Sequence, residues 1–375
     1  MNLVIFTFGY KSFSELSQHQ TPLALTFLLT VLLRYSEANS NCRVPKLVSA
    51  KELGERKIIE LILDSLEQMP NMPLPFGDDA SAVDLGADKL AVINMDMLVG
   101  KTDVPKTMSI WQAARKAVIM NISDLAAKGA QPLALLASIG APPDMTKTDI
   151  QQIGRGLNAG AREYNAYILG GDTNEASDLI ISCMALGVCS KHQLLRRSGA
   201  KPGDYVAVTG SFGKTASGLK ILMNGLSAPE DNGTLVDSVL MPKARIKEGL
   251  ALSQSSLATA SIDSSDGLAW SLHEISQASN VGFLIDELPV APEAERFAEI
   301  HGFDPVELAL YGGEEYELLV TIKPSLWQEA KTAVETVDGK LIKVGHATEK
   351  KKLLLQTDEK TVSIDARGWE HFKTA

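Results

Sequence analysis

Residues 89–139 read KLAVINMDMLVGKTDVPKTMSIWQAARKAVIMNISDLAAKGAQPLALLASI, and three periodicities follow one another within them. The run at 89–95 is apolar over the length of a buried strand. At 109–128 the apolar positions recur at helical spacing, opened by Ser109 and closed by Gly129. The run at 133–139 is strand-like again, so the order is strand, helix, strand, which is α/β in class. The pattern extends outward on both sides, with an amphipathic helix at 50–66 (Leu53, Ile58, Ile59, Ile62, Leu63 and Leu66), a strand at 80–83, a helix at 147–164, and strands at 166–169 and 179–188. A basic connector punctuated by Gly and Pro, RRSGAKPGD at 196–204, then leads into YVAVTG, which reads as the first strand of a second domain. The second half continues with helices at 215–223, 244–252 and 292–301, a polar loop around 228–234, and strands before IDSSDGL and within VGFLIDEL and YGGEEYELLVTI. The expected organisation is an extension at 1–48, an amino-terminal domain at 49–197 and a carboxy-terminal domain at 198–375.

The chain has 375 residues, enough for two domains that each bury a core, and 45% hydrophobic against 22% charged residues fits a globular protein. A net charge of −10 argues against a nucleic-acid footprint, which needs clustered Lys and Arg. Three cysteines, Cys42, Cys183 and Cys189, form no CxxC pair and suggest neither a disulfide framework nor a zinc site. The six histidines show no metal-binding spacing, and a reducing, cytoplasmic setting fits.

Residues 1–48 differ in texture, with PLALTFLLTVLL at 22–33 followed by a polar patch. About a dozen apolar residues is short of the roughly 20 that span a bilayer, so no membrane anchor is expected. The favoured reading is that translation begins near Leu47 or Val48 and that the extension is not part of the fold.

Acids gather beside glycines and at strand ends: Asp78 and Asp79 after Gly77, Asp96 after Asn94 and Met95, Asp103, Asp124 with Asn121, Asp172 after Gly170 and Gly171, Asp263 and Asp266, and Glu314 with Glu315 after Gly313. Carboxylates beyond the carboxyl ends of strands point into the crevice where α/β folds bind ligands, and oxygen donors suit magnesium. Asn121 and Asp124, three apart in one helix, share a face. Taken singly, Asn121 with Asp124 is open to reading as an ordinary polar face, Asp263 or Asp266 as an N-cap, and the GGD and GGEE segments as turns; their number favours a site. GSFGKT at 210–215 is too short between its glycines for a P-loop, and Ser264 or Ser265 lacks the context of a hydrolase nucleophile. An acid-rich site without a base suits phosphoryl transfer, which needs metal neutralisation and alignment more than proton abstraction, with Arg196 or Arg197 for a phosphate.

Seven motifs in order, GDDA, MDMLV, KAVIMNISDLAAKGAQP, LGGDT, RRSGAKPGD, IDSSDGL and YGGEEYEL, resemble the thiamine-monophosphate kinase family in its archaeal form. The resemblance runs from about Ser49 to Trp369. It implies the two-domain fold of the aminoimidazole ribonucleotide synthetase superfamily, a homodimer formed through the amino-terminal sheet, and transfer of phosphate from ATP to thiamine monophosphate with several magnesium ions. Carried over by motif, Asp79, Asn94, Met95, Asp96, Asp124, Asp172, Asp263 and Asp266 are implied magnesium ligands, with Asp124 and Asp263 central to catalysis. Met95 stands where the family often has Ser or Thr, leaving only its carbonyl as a ligand. Gly171, Arg197, Ser265 and Tyr164 are implied at the nucleotide. Asp103, Glu314 and Trp369 are implied at the thiamine moiety, a cationic ring system matched by a carboxylate and an aromatic face. The alternatives are another ATP-dependent synthetase of the superfamily and a non-catalytic nucleotide-binding regulator.

Overall fold

The computed structural model describes residues 48–372. The expected extension at 1–48, with Cys42, lies outside the described residues apart from Val48. Ala50–Leu53 is a single helical turn opened by a capping box, in which the Ser49 side chain and Glu52 satisfy each other's backbone N–H groups. Residues Glu55–Ala375 form a second compact unit. It begins with the helix Glu55–Leu63; the single helix expected over 50–66 is interrupted at Gly54, whose φ of 77° no other residue adopts cheaply.

Five strands follow in the first half: β1 (Ser81–Gly86), β2 (Lys89–Val99), β3 (Gln131–Ala141), β4 (Tyr167–Glu175) and β5 (Ile180–Ser190). They form one sheet in the order β1-β2-β5-β3-β4, antiparallel except for the β3–β4 pair. The strand expected at 166–169 is longer, because Gly170, Gly171 and Asp172 continue β4 instead of turning. A Cβ on Gly171 would lie 1.8 Å from the Ala137 carbonyl oxygen, so glycine here admits the neighbouring strand.

The helix Ile110–Ala127 lies across one face of this sheet. Its start is fixed by a Ser109–Gln112 capping box, and 13 of its 18 residues are buried, including Arg115, Lys116, Asn121 and Ser123. Burial on all sides follows from its neighbours. The helix Lys147–Glu163 approaches so closely that Gly156 would place a Cβ 2.2 Å from the Trp111 carbonyl. From the second half, the helix Ile246–Gln254 brings Gly249 against Ala126, where a Cβ would stand 2.1 Å from the carbonyl oxygen. The other face of the sheet is apolar and open, since strand alternation turns Val83, Leu85, Met95, Met97, Leu133, Leu136, Tyr167 and Leu169 outward.

The second half builds a seven-stranded sheet from β6 (Tyr205–Val208), β7 (Ala258–Asp263), β8 (Gly282–Ile285), β9 (Leu318–Ile322), β10 (Ile342–Thr348), β11 (Leu353–Gln356) and β12 (Thr361–Ser363). Their order is β12-β11-β8-β10-β6-β9-β7. The polar segment expected as a loop around 228–234 instead runs into a helix, Asn232–Leu240, packed on Lys214–Asn224 where Gly218 would place a Cβ 2.0 Å from the Leu235 carbonyl. Among the described residues no helix is long and apolar enough to cross a membrane.

Candidate active site

Four segments converge at one end of the helix Ile110–Ala127: the turn at 77–79, the middle of β2, the last turns of the helix, and the end of β7. Ligand oxygens of Asp79, Asp124 and Asp263 all lie within 4.8 Å of one another. Ser123 donates to Asp263 at 2.6 Å, and Asn94 donates to Asp124 at 2.7 Å. Asn121 accepts from the backbone N–H of Asp96 at 3.1 Å, fixing where β2 presents that carboxylate.

Burial is the first cause of the unusual electrostatics here. It raises Asp263 to about 7, aided by the charge of Asp79, and raises Asp96 to about 6, aided by Asp266 and Asp79. Asp266 is pushed to about 6 by burial and by Glu55, while Asp124 is driven well above the usual carboxylate range by burial, Asp96, Asp263 and Asp79. Asp79 goes the other way. Burial opposes its charge, but Arg197 at 2.5 Å and Lys128 at 2.7 Å overcome that and hold it below its ordinary value. Lys128 is fully buried and also contacts Asp78 and the Ser261 carbonyl.

A divalent cation fits this donor set. The ligands are all oxygens, the three carboxylates face one another, and Asn94 Oδ1 is buried without a hydrogen-bond donor beside them. No cysteine or histidine sits in the cluster.

Beside it, a cavity of about 380 Å³ is lined by Asp103, Lys106, Leu219, Leu222, Glu314 and Trp369, among others. The three residues expected at the substrate ring thus share one cavity. Trp369 is 49% exposed and forms part of the wall, so it is not a core residue. Glu314 has φ of 63° and Tyr316 has φ of 54°, a left-handed backbone fixed where Glu314 N–H meets the Ser265 carbonyl at 2.6 Å and Tyr316 N–H meets that of Ser264 at 3.0 Å.

Other expected residues lie apart. Asp96 pairs with Cys183, Cys183 with Ala137 and Ala137 with Gly171, which sets Gly171 and Asp172 about 14 Å along the sheet from Asp96 at the usual strand spacing. Met95 is 65% exposed on the opposite face of β2 from Asn94 and Asp96. The Tyr164 hydroxyl accepts from the Ala244 N–H at 2.9 Å, a link within the protein. Ser265 is exposed at the turn after β7. Arg197 also bonds Glu274 at 2.8 Å. Sequence reasoning missed Lys116, Ser123 and Lys128. The available signal was the polar content of a long helical run, with Lys116 within it and Lys128 at its end, too great for one solvated face.

The family model for the AIR synthase related protein, N-terminal domain, matches residues 77–189, and that for the C-terminal domain matches 201–358. The thiamine-monophosphate kinase of Pyrococcus abyssi (strain GE5 / Orsay) is 39% identical over 321 residues, covering 85% of this chain and 96% of the relative. This chain belongs to the thiamine-monophosphate kinase family. The Pyrococcus horikoshii kinase is 38% identical, covering 84% of this chain and 96% of the relative. Among solved structures, "AaThiL complexed with AMPPCP and TMP" is 27% identical with a TM-score of 0.77, covering 87% of this chain and 99% of that one. Membership bears out the expected family and its two-domain α/β fold.

Proposed function

We propose that the chain transfers the γ-phosphate of ATP to thiamine monophosphate, yielding thiamine diphosphate and ADP. The observation that carries this reading is the buried carboxylate cluster of Asp79, Asp124 and Asp263 beside a cavity that Asp103, Glu314 and Trp369 line, in a member of this family. The relative solved with AMPPCP and TMP supports the same pair of substrates.

Asp79, Asn94, Asp96, Asp124, Asp263 and Asp266 are the proposed holders of several magnesium ions, which when bound supply neutralisation of the triphosphate charge. Asp172 falls outside that set because of its distance along the sheet, and Met95, whose side chain faces away, contributes only through its backbone carbonyl. An oxygen of the acceptor phosphate attacks Pγ, the bond from Pγ to the β-bridging oxygen breaks, and ADP carries away the electron pair. The attacking oxygen is already anionic near neutral pH, so no residue need take a proton from it. Arg197 and the exposed Ser265 meet the triphosphate. Gly171 and Tyr164 act as structural residues through their contacts with β3 and Ala244. Trp369 stacks on the cationic ring and Glu314 supplies its counter-charge.

The apolar open face of the first sheet supports a homodimer, since such a face normally finds a partner. The strands of the two sheets divide cleanly across residues 190–205, which supports domains at 49–197 and 198–375. Use of ATP supports a cytoplasmic location. The test is incubation with ATP, magnesium and thiamine monophosphate at high enzyme concentration; absence of thiamine diphosphate would refute the reading.

A further inference from the structure

Behind the cavity wall lies a cation that the proposed mechanism leaves idle. Lys116, on the helix Ile110–Ala127, is 1% exposed and is not among the cavity-lining residues. Its ammonium donates to Glu314 Oε1 at 2.5 Å and to the Asp103 carbonyl at 3.1 Å. One buried group therefore holds both acidic residues assigned to the substrate ring. A lysine of this kind loses about all of its side-chain freedom and its hydration, a cost that solvent-facing lysines avoid.

The geometry leaves Glu314 half engaged. Oε1 faces Lys116, while Oε2 has no hydrogen-bond partner among the described residues, and Glu314 lines the cavity. Its backbone is left-handed and pinned by the Ser265 carbonyl, so the loop has little freedom to swing the carboxylate elsewhere. A carboxylate carries two oxygens and about four acceptor sites, so one oxygen can be fixed by a lysine while the other stays available.

We infer that Lys116 is a positioning residue for substrate specificity: it anchors Glu314 by one oxygen so that the other is presented to the cationic ring of the phosphate acceptor. This rests on the reading that Glu314 meets the thiamine moiety. Lys116 touches neither substrate nor reacting atoms, so its effect falls on acceptor binding and not on the phosphoryl-transfer step.

The experiment compares Lys116→Met, Lys116→Arg and Glu314→Gln by steady-state kinetics, with melting temperature recorded for each. For Lys116→Met the KM for thiamine monophosphate is expected to rise about ten-fold or more, the scale of one hydrogen bond to a charged group, while kcat and the KM for ATP stay within about two-fold. Lys116→Arg, which keeps the charge, is expected to recover part of the loss. An unchanged acceptor KM in Lys116→Met, or equal rises in both KM values, overturns the inference. Should Lys116→Met fail to fold, Lys116→Arg decides alone: a selective rise in acceptor KM supports positioning, and no change overturns it. If Glu314→Gln leaves the acceptor KM unchanged, the assignment of Glu314 fails first. If it raises that KM while Lys116→Met does not, the positioning inference alone is lost.

Discussion

Ser123 and Asp263 meet through a 2.6 Å hydrogen bond that joins a helix of the first half to a strand of the second. Neither half alone assembles the carboxylate cluster, because Asp79 and Asp124 come from one and Asp263 from the other. Asp263→Asn keeps the shape and can still accept from Ser123 but lacks the charge. Turnover is expected to fall by about 10²–10³ or more, the scale of losing one charge-stabilising group. The melting temperature should hold or rise without magnesium, since burying an amide costs less than burying a carboxylate. Full activity in both Asp263→Asn and Asp124→Asn would refute the cluster as the catalytic centre.

The raised carboxyls predict a pH signature. Asp263 near 7 and Asp96 and Asp266 near 6 lie above their ordinary value of 3.8, so the metal-free folded state binds more protons than the unfolded chain over the interval between. The stability these groups confer is full below about pH 4 and is lost as pH rises through 6 to 7, by at most about 1.4 kcal/mol per group per pH unit. A bound divalent cation displaces those protons. Thermal melts should therefore show a larger magnesium-induced stabilisation at pH 8 than at pH 5.5. Equal shifts at the two pH values would contradict it.

Trp369 is half exposed on the cavity wall, so its removal tests binding with little disturbance to packing. Trp369→Ala is expected to raise the KM for thiamine monophosphate about five- to thirty-fold, the range of a cation–π contact of about 1–2 kcal/mol. Its melting temperature should stay within a few degrees of the parent.

Gly171 separates a structural from a nucleotide-contacting role. Gly171→Ala would drive a methyl to 1.8 Å from the Ala137 carbonyl oxygen, which the β3–β4 pairing cannot absorb without shifting. A loss of about 2 kcal/mol or more in chemical denaturation is expected. Parent-like stability with a raised KM for ATP would instead return Gly171 to the nucleotide.

The open sheet face gives the test of self-association. Leu169 is 71% exposed there and Met95 65%. The double variant Met95→Glu/Leu169→Glu should sediment as a monomer where the parent sediments as a dimer, because charge on an apolar contact is strongly unfavourable. A monomeric parent would remove the dimer from the proposal.

The framework was legible because periodicity survives tertiary context in long elements such as β2 and the helix Ile110–Ala127. The carboxylates were legible because so many acids set among apolar runs are unusual as surface charge, although only Asp263 ends a strand, while Asp96 lies within β2 and Asp124 within the helix. The ammonium groups were not, since a lysine in a helix ordinarily reads as solvated and only packing against the second half reveals Lys116 and Lys128 as buried. The length of β4 was hidden because two adjacent glycines resemble a turn, whereas here both continue the strand and Gly171 admits the neighbouring β3. The helix Asn232–Leu240 was hidden by its polar opening, and its stability comes from the helix packed against it at Gly218.

The helix Ile110–Ala127 reaches both Glu314 and Asp263. Lys116 and Ser123 are seven residues apart, which places them on one face and about 10.5 Å from each other along the axis. One end touches Glu314 and the other touches Asp263. If Glu314 meets the ring and Asp263 the phosphate, as proposed, a single rigid rod works as a gauge for the acceptor, setting the separation between the two. On that reading, an acceptor homologue whose phosphate is displaced by about 1 Å is expected to bind at the ring end and react roughly a hundred times more slowly.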